Sequence, residues 1–470
     1  MTSITILIVG CGSRGEVYAS YALKHPDRAR VIGIAEPRVH LRKKFQKIHN
    51  LINEELIFSD WRDVIDLETR ISDCVIIALP DKLHREAAVC FTQKGYHMLL
   101  EKPMATLLDD CRHITMASRN NPSQINAVCH VLRYLGPCIK IKQLIESGLI
   151  GNVVNINHTE PVGYWHFAHS FVRGNWHNEK DSAFSLLAKC CHDIDLIIYW
   201  MQGKKCTRVH SFGSLNHFNR LNAPEESTDL CMTCPVESKC CYSAKKLYLD
   251  KVKDPSRWPS SVVLNSEIQN VLDENSSQDI EDLYLRTSNE EKFELLTKCL
   301  SHEKTQYGRC VYKIADNDVC DNQVVNLQFE DGTTATMTMI AFTKDLCTRK
   351  TKVYGTKGML EWDDATHLNK IIYTNFLNDQ TEMIDCEDVL KIDIKGEVNE
   401  NVKLDGHGGS DYYLMNSFIE ACLKKDKSLV LTDLEDSFRS HVIVFAAEYS
   451  RVNNTVVNID EFCKLSDIEL

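Results

Sequence analysis

Gly10-Cys11-Gly12-Ser13-Arg14-Gly15 follows the apolar run Ile6-Leu7-Ile8-Val9 and opens a segment with helical spacing. A strand, a glycine-rich turn and a helix N-terminus in that order can hold a dinucleotide pyrophosphate. Gly10 permits the tight turn, Gly12 lets the backbone approach the phosphates, and Gly15 lets helix and strand pack closely. Ser13 and Arg14 fall at the helix start, where unpaired N–H groups and the helix dipole attract an anion. The motif alone is weakly specific, but a second feature falls in register with it. Val31-Ile32-Gly33-Ile34-Ala35 reads as the next strand and ends in Glu36, 21 residues after Gly15. A carboxylate there accepts hydrogen bonds from the adenosine ribose and favours NAD, because it repels the extra phosphate of NADP. Arg38 acts in the opposite sense by offering a phosphate partner, which leaves NADP as the alternative.

The α/β alternation continues beyond Glu36. Cys74-Val75-Ile76-Ile77-Ala78-Leu79 is continuously apolar, as a strand buried on both faces should be, and stops at Pro80. A helix over 83–94, a strand over 97–100, a helix near 107–118 and a strand over 125–128 complete a Rossmann-type, doubly wound parallel sheet over 1–130. The remainder, 131–470, has a different grammar. Val325, Leu327 and Phe329 alternate with polar residues, Asp331-Gly332 turns, and Ala335, Met337 and Met339 resume the alternation. That is a hairpin with one buried face. With strands expected at 153–158, 351–354 and 358–362, this half reads as an α+β domain with an open, mainly antiparallel sheet. A polar, cysteine-bearing insertion is expected at about 221–310. Phe293, Leu296 and Leu300 mark an amphipathic helix within it, and the Asn-Ser-Ser-Gln-Asp tract at 275–279 is the segment expected to be a mobile loop.

Several motifs taken together resemble the Gfo/Idh/MocA oxidoreductases, the group of glucose–fructose oxidoreductase and inositol dehydrogenase. They are the opening glycine turn, Ala78-Leu79-Pro80 with His84, and above all Glu101-Lys102-Pro103. The resemblance continues in Cys191-His192-Asp193-Ile194-Asp195-Leu196, in Val353 to Gly358 and in Gly408-Gly409-Ser410-Asp411. It implies that Pro80, His84, Glu101 and Lys102 belong to the cofactor side of a cleft. There, hydride passes between nicotinamide and a hydroxyl or carbonyl carbon of a sugar or cyclic polyol. Lys102 matches the family lysine at the reacting oxygen, and His192 the family histidine that assists there, since hydride departure must be matched by proton movement. Many members carry aspartate four residues before this histidine, whereas here Ala188 stands at that place and Lys189 follows. Ala-Lys-Cys-Cys-His-Asp resembles a subset of the family, with Lys189 a third candidate for the cleft. Arg173, Asn175 and Trp176 resemble a substrate-side stretch of that subset, and Asp193, Tyr307 and Arg309 are further candidates for the substrate pocket. Two competing readings use nearly the same residues. One is an NAD-dependent glycoside hydrolase working by transient oxidation and elimination, the other a catalytically silent cofactor sensor.

Cys231-x2-Cys234-x5-Cys240 offers a thiolate set for structural zinc, with Cys206, His217 or Cys241 as fourth ligand, against unliganded thiols as the alternative. Twenty cysteines scattered through a long chain without a recognisable export signal fit a reducing cytoplasm. The formal charge of −12 argues against nucleic acid as partner, and no apolar run reaches the length of a membrane span. The resemblance implies a homodimer or homotetramer. Arg42-Lys43-Lys44 reads as a solvated helix face.

Overall fold

The computed structural model describes residues 3–201, 203–271, 288–367, 369–386, 389, 404 and 406–468. Six strands come first: β1 (Ile4–Val9), β2 (Ala29–Ala35), β3 (Ile57–Phe58), β4 (Cys74–Ile77), β5 (His97–Leu100) and β6 (Asn126–Val128). They form a parallel sheet in the order β3-β2-β1-β4-β5-β6, with helices such as Ser13–Lys24, His84–Gln93 and Leu108–Arg119 as crossovers. Every residue of β4 is fully buried, as its unbroken apolar run requires. The order reverses direction beside β1, so the carboxyl ends of β1 and β4 diverge into the crevice where such sheets bind ligands.

The second sheet has nine strands. They are β7 (Val153–Pro161), β8 (Cys206–Ser214), β9 (Asn322–Phe329), β10 (Thr334–Ile340), β11 (Lys350–Gly355), β12 (Gly358–Asp363), β13 (Lys370–Asn375), β14 (Gln380–Asp385) and β15 (Val457–Asn458). Their order is β14-β13-β12-β11-β7-β10-β9-β8-β15, and every pairing is antiparallel except β7 with β10. The β9–β10 hairpin buries Val325, Leu327, Phe329, Ala335, Met337 and Met339, the face its alternation marks. The helix Ser185–Trp200 packs on this sheet and is buried through most of its length, which explains its largely apolar sequence.

The two sheets are fastened by the helix Leu434–Asn453. His441 Nε2 accepts the Met104 N–H at 3.1 Å, and Ser450 Oγ accepts the Ser211 N–H at 3.0 Å. Just before this helix, Thr432 O accepts the Val128 N–H at 2.9 Å. The amphipathic helix spans Asn289–Ser301 and buries Leu296 and Leu300, starting with a Ser288/Glu291 capping box. The 275–279 tract lies outside the described residues. The basic run after Glu36 is less solvated than its composition suggests, because Lys44 pairs with Glu16 at 2.9 Å and Arg42 Nη1 donates to the Glu36 and Pro37 carbonyls. No helix among the described residues is long and apolar enough to cross a membrane.

Candidate active site

Gly10 sits at φ +94°, and a Cβ there would lie 2.3 Å from the Ala78 carbonyl oxygen. A Cβ on Gly15 would lie 2.0 Å from the Gly10 carbonyl oxygen. These two glycines are therefore required by close packing of turn, helix and β4. Gly12 differs, since the nearest atom to a Cβ there is Arg38 Nη2 at 3.7 Å, leaving its backbone approachable. The helix from Ser13 has Gly12 as N-cap and no side-chain cap, so its first N–H groups are left for an anion. This turn fits a dinucleotide pyrophosphate.

Glu36 is buried, and its carboxylate accepts the Cys11 N–H at 2.8 Å and two guanidinium hydrogen bonds from Arg38, at 2.6 and 3.0 Å. Burial disfavours its charge, but Arg38 and the backbone N–H donors hold its pKa below the ordinary carboxylate value. Arg38 and Glu36 thus form one neutralised unit at the end of β2.

Arg14 joins three parts of the chain. Its guanidinium donates to Glu101 Oε1 at 2.6 Å and to Asp411 Oδ1 at 2.6 Å, and lies over the Tyr18 ring. Glu101 also accepts from Tyr18 Oη at 2.7 Å and, through Oε2, from the Lys102 N–H at 2.7 Å. Burial works against the Glu101 charge, yet Arg14 and Lys102 keep its pKa depressed. His84, fully buried, lies 2.7 Å from the Pro103 carbonyl and 2.9 Å from the Leu79 carbonyl, and so ties the loop after β5 to the loop after β4. Pro80 lies exposed on that second loop. Held in this frame, Lys102 Nζ donates to the Ala188 carbonyl at 2.8 Å. At the position where the resemblance leads one to look for aspartate, this chain presents a backbone acceptor to the lysine.

One turn further along the same helix, His192 is 6% exposed and its Nδ1 has no partner among the described residues. Burial first, then the charge of Lys102, pushes its pKa well below the ordinary histidine value, so the ring is neutral near pH 7. The His130 ring meets it edge-on at 5.4 Å, and His441 lies 5.4 Å beyond His130. His407 stands 6.5 Å away on another side. His130 carries no local sequence signal for this role, and Asp411, though part of the Gly408–Asp411 motif, reaches Arg14 only through the fold.

The remaining candidates divide. Lys189 Nζ donates to Cys347 Sγ at 3.0 Å and pairs with Glu160 at 3.3 Å. Asp193 is fully buried between His158 (2.9 Å) and Arg349 (3.1 Å). Arg173 is also buried, donating to the Arg309 and Tyr242 carbonyls at 2.7 Å each. Tyr307 is buried, with its ring stacked on His169 and its N–H given to Glu267. All three are thus buried and held by partners within the chain. Trp176 Nε1 donates to Asp81 at 2.9 Å, across from the loop after β4, while Asn175 and Arg309 are exposed. Among the described residues no three His, Cys, Asp or Glu side chains are placed to hold a metal ion. Cys231 is instead engaged with Arg173 and the Arg309 carbonyl, and His217 with Tyr312. Cys206 lies on β8 against the Arg208 carbonyl. Cys241 is exposed, and Cys234 and Cys240 are half-buried.

Fold and glycine turn together define a dinucleotide-binding domain joined to an α/β domain with a nine-stranded sheet. Residues 4–127 match the model of an oxidoreductase family with an NAD-binding Rossmann fold, and residues 142–240 and 283–459 match that family's C-terminal alpha/beta domain. The chain belongs to the Gfo/Idh/MocA oxidoreductase family. It is 30% identical over 145 residues to an uncharacterized oxidoreductase of Streptococcus pneumoniae serotype 4, covering 31% of this chain and 38% of that protein. It is 24% identical over 192 residues to the 2,7-anhydro-N-acetylneuraminate hydratase of Escherichia coli (strain K12), covering 40% of this chain and 47% of that protein. The chain thus matches less than half the length of these relatives. Among solved structures, levoglucosan dehydrogenase in complex with NADH and levoglucosan superposes with a TM-score of 0.66 at 16% identity, over 97% of this chain and 99% of that one. Apo scyllo-inositol dehydrogenase from Lactobacillus casei superposes with a TM-score of 0.60 at 16% identity, over 98% and 99%. At these identities the superpositions describe the fold.

Proposed function

We propose that the protein transfers hydride between a nicotinamide dinucleotide and a hydroxyl or carbonyl carbon of a sugar or cyclic polyol, with Lys102 as acid/base and His192 assisting. The observation that carries this reading is the Lys102–Ala188 hydrogen bond, which sets the lysine against the helix that bears His192. Gly10, Gly12 and Gly15 shape the pyrophosphate cradle, and the Glu36–Arg38 unit faces the ribose. Because Arg38 is already neutralised by Glu36, NAD is favoured over NADP. A bound nicotinamide supplies the hydride acceptor or donor. In the reducing direction Lys102 gives a proton to the substrate oxygen, and in the oxidising direction it takes one from the hydroxyl. Neutral His192 hydrogen-bonds the same oxygen without adding a second positive charge. The relatives named levoglucosan dehydrogenase, inositol 2-dehydrogenase and scyllo-inositol dehydrogenase support the substrate class.

A second reading is redox-assisted elimination with no net NADH, supported by the two relatives named 2,7-anhydro-N-acetylneuraminate hydratase. Mixing the protein with NAD and a panel of polyols, sugars and aryl glycosides separates the two. NADH absorbance that accumulates with wild type supports the dehydrogenase. Product release at constant NADH supports elimination. Tight NADH binding with neither outcome across the panel contradicts both and leaves a cofactor sensor.

A further inference from the structure

A groove of about 460 Å³ is walled by Trp165, Leu247 and Trp258 and edged by Lys251, Lys253 and Arg257. The two indole rings lie 5.0 Å apart at 39°, and Trp258 is 40% exposed. The groove is joined to the candidate active site by contacts that can be followed atom by atom. His166 packs edge-on against Trp258 at 5.0 Å, and its Nδ1 lies 3.1 Å from Cys347 Sγ. That sulfur accepts from Lys189 Nζ at 3.0 Å, and Lys189 is the neighbour of Ala188, the carbonyl partner of Lys102.

Its charge runs against that of the chain. The protein carries 66 acidic and 54 basic side chains, yet the groove is edged by three cations and one acid, Asp254, which lies 3.5 Å from Arg257. Lys251 and Lys253 make no ion pair among the described residues; Lys251 Nζ donates to Tyr164 Oη at 2.5 Å. Two cations without carboxylate partners among the described residues, beside two aromatic faces, suit a ligand with a flat apolar side and a negative charge.

We propose that this groove is an outer subsite for a sugar unit bearing a carboxylate, such as a uronic acid. The indoles of Trp165 and Trp258 cover the C–H face of the ring, and Lys251 and Lys253 pair with the carboxylate. This rests on the carbohydrate reading above, which it narrows to acidic sugars or to glycosides with an acidic unit beyond the reacting one. A nucleotide monophosphate is the competing occupant, since a base can stack on the same indoles.

Tryptophan fluorescence of the full chain, titrated with galacturonate and with digalacturonate, tests the proposal, with galactose as the neutral control and AMP as the competitor. Wild type is expected to bind the uronates saturably, more weakly at high salt, and galactose at least about tenfold more weakly. Lys251→Glu with Lys253→Glu alters exposed positions and should weaken uronate binding by about tenfold or more. Trp258→Ala should remove most of the fluorescence change. Lys102→Ala should leave uronate binding intact, so the groove is judged apart from catalysis. Equal binding of galactose, undiminished uronate binding by the charge-reversed variant, preferential binding of AMP, or no uronate binding would each overturn the proposal. Retained uronate binding without turnover of any sugar would contradict the oxidoreductase reading while supporting the groove.

Discussion

Replacing Arg14 by Met would test whether the glycine turn, the Glu-Lys-Pro loop and the C-terminal half are held as one unit. Arg14 is the shared partner of Glu101 and Asp411, at 2.6 Å each, and their side chains are only 8% and 0% exposed. Methionine keeps much of the volume but removes the cation these two buried carboxylates share, leaving Lys102 near Glu101 and His407 3.2 Å from Asp411. Breaking a buried pair in this way costs about 3–5 kcal/mol, and the 30% exposure of Arg14 argues for the lower end. About 3 kcal/mol corresponds to roughly 6–12 °C in the unfolding midpoint of a unit of 150–250 residues. The pH dependence carries a definite sign. Both carboxylates have folded-state pKa values below their ordinary values, burial opposing and Arg14 outweighing it. Their contribution is therefore complete above the unfolded carboxylate range, about pH 4, and is lost as pH falls through the lower folded values. The gap between wild type and R14M should be largest at pH 7 and shrink toward pH 3. Thermal unfolding followed by circular dichroism across that range measures it. A gap below about 1 kcal/mol at neutral pH, or one that widens on acidification, would refute the reasoning.

Gly15→Ala should reduce NADH affinity at least about tenfold in a fluorescence titration, because its Cβ would sit 2.0 Å from the Gly10 carbonyl oxygen and displace the turn. Unchanged affinity would show that the turn does not hold the cofactor. Arg349→Met should destabilise by about 3–5 kcal/mol, read by denaturant unfolding, since Arg349 lies 2.9 Å from buried Glu160 and 3.1 Å from buried Asp193. A loss under about 1 kcal/mol would mean that these carboxylates find other partners.

What could be read in advance follows the range over which the forces act. The glycine turn, the all-apolar β4 and the β9–β10 alternation are local patterns, and local sterics and burial determine them. The Glu101–Lys102–Pro103 loop was recognisable as a motif, but the partners of Glu101 were not. Glu101 serves Arg14 and Tyr18, residues more than 80 positions earlier, and through Arg14 it reaches Asp411. Polar residues proved hardest to place. Arg173, named from its resemblance to a substrate-side stretch, and Asp193 are each buried against partners distant in sequence, the Arg309 carbonyl and Arg349, which no local pattern announces. Cysteine spacing was similarly uninformative, since Cys231 is turned toward the Arg173 guanidinium. The Glu36–Arg38 pairing lay within two residues and could have been anticipated, for an arginine beside a buried carboxylate seldom remains free for a phosphate.

The central claim is that Lys102 moves the proton that accompanies hydride transfer. The most direct measurement compares wild type with Lys102→Ala for single-turnover NADH formation on the best substrate from the panel, with NADH affinity determined in parallel. The account predicts a rate reduced by about 10²–10⁴-fold with affinity changed no more than a few-fold. A variant that turns over at the wild-type rate would contradict it.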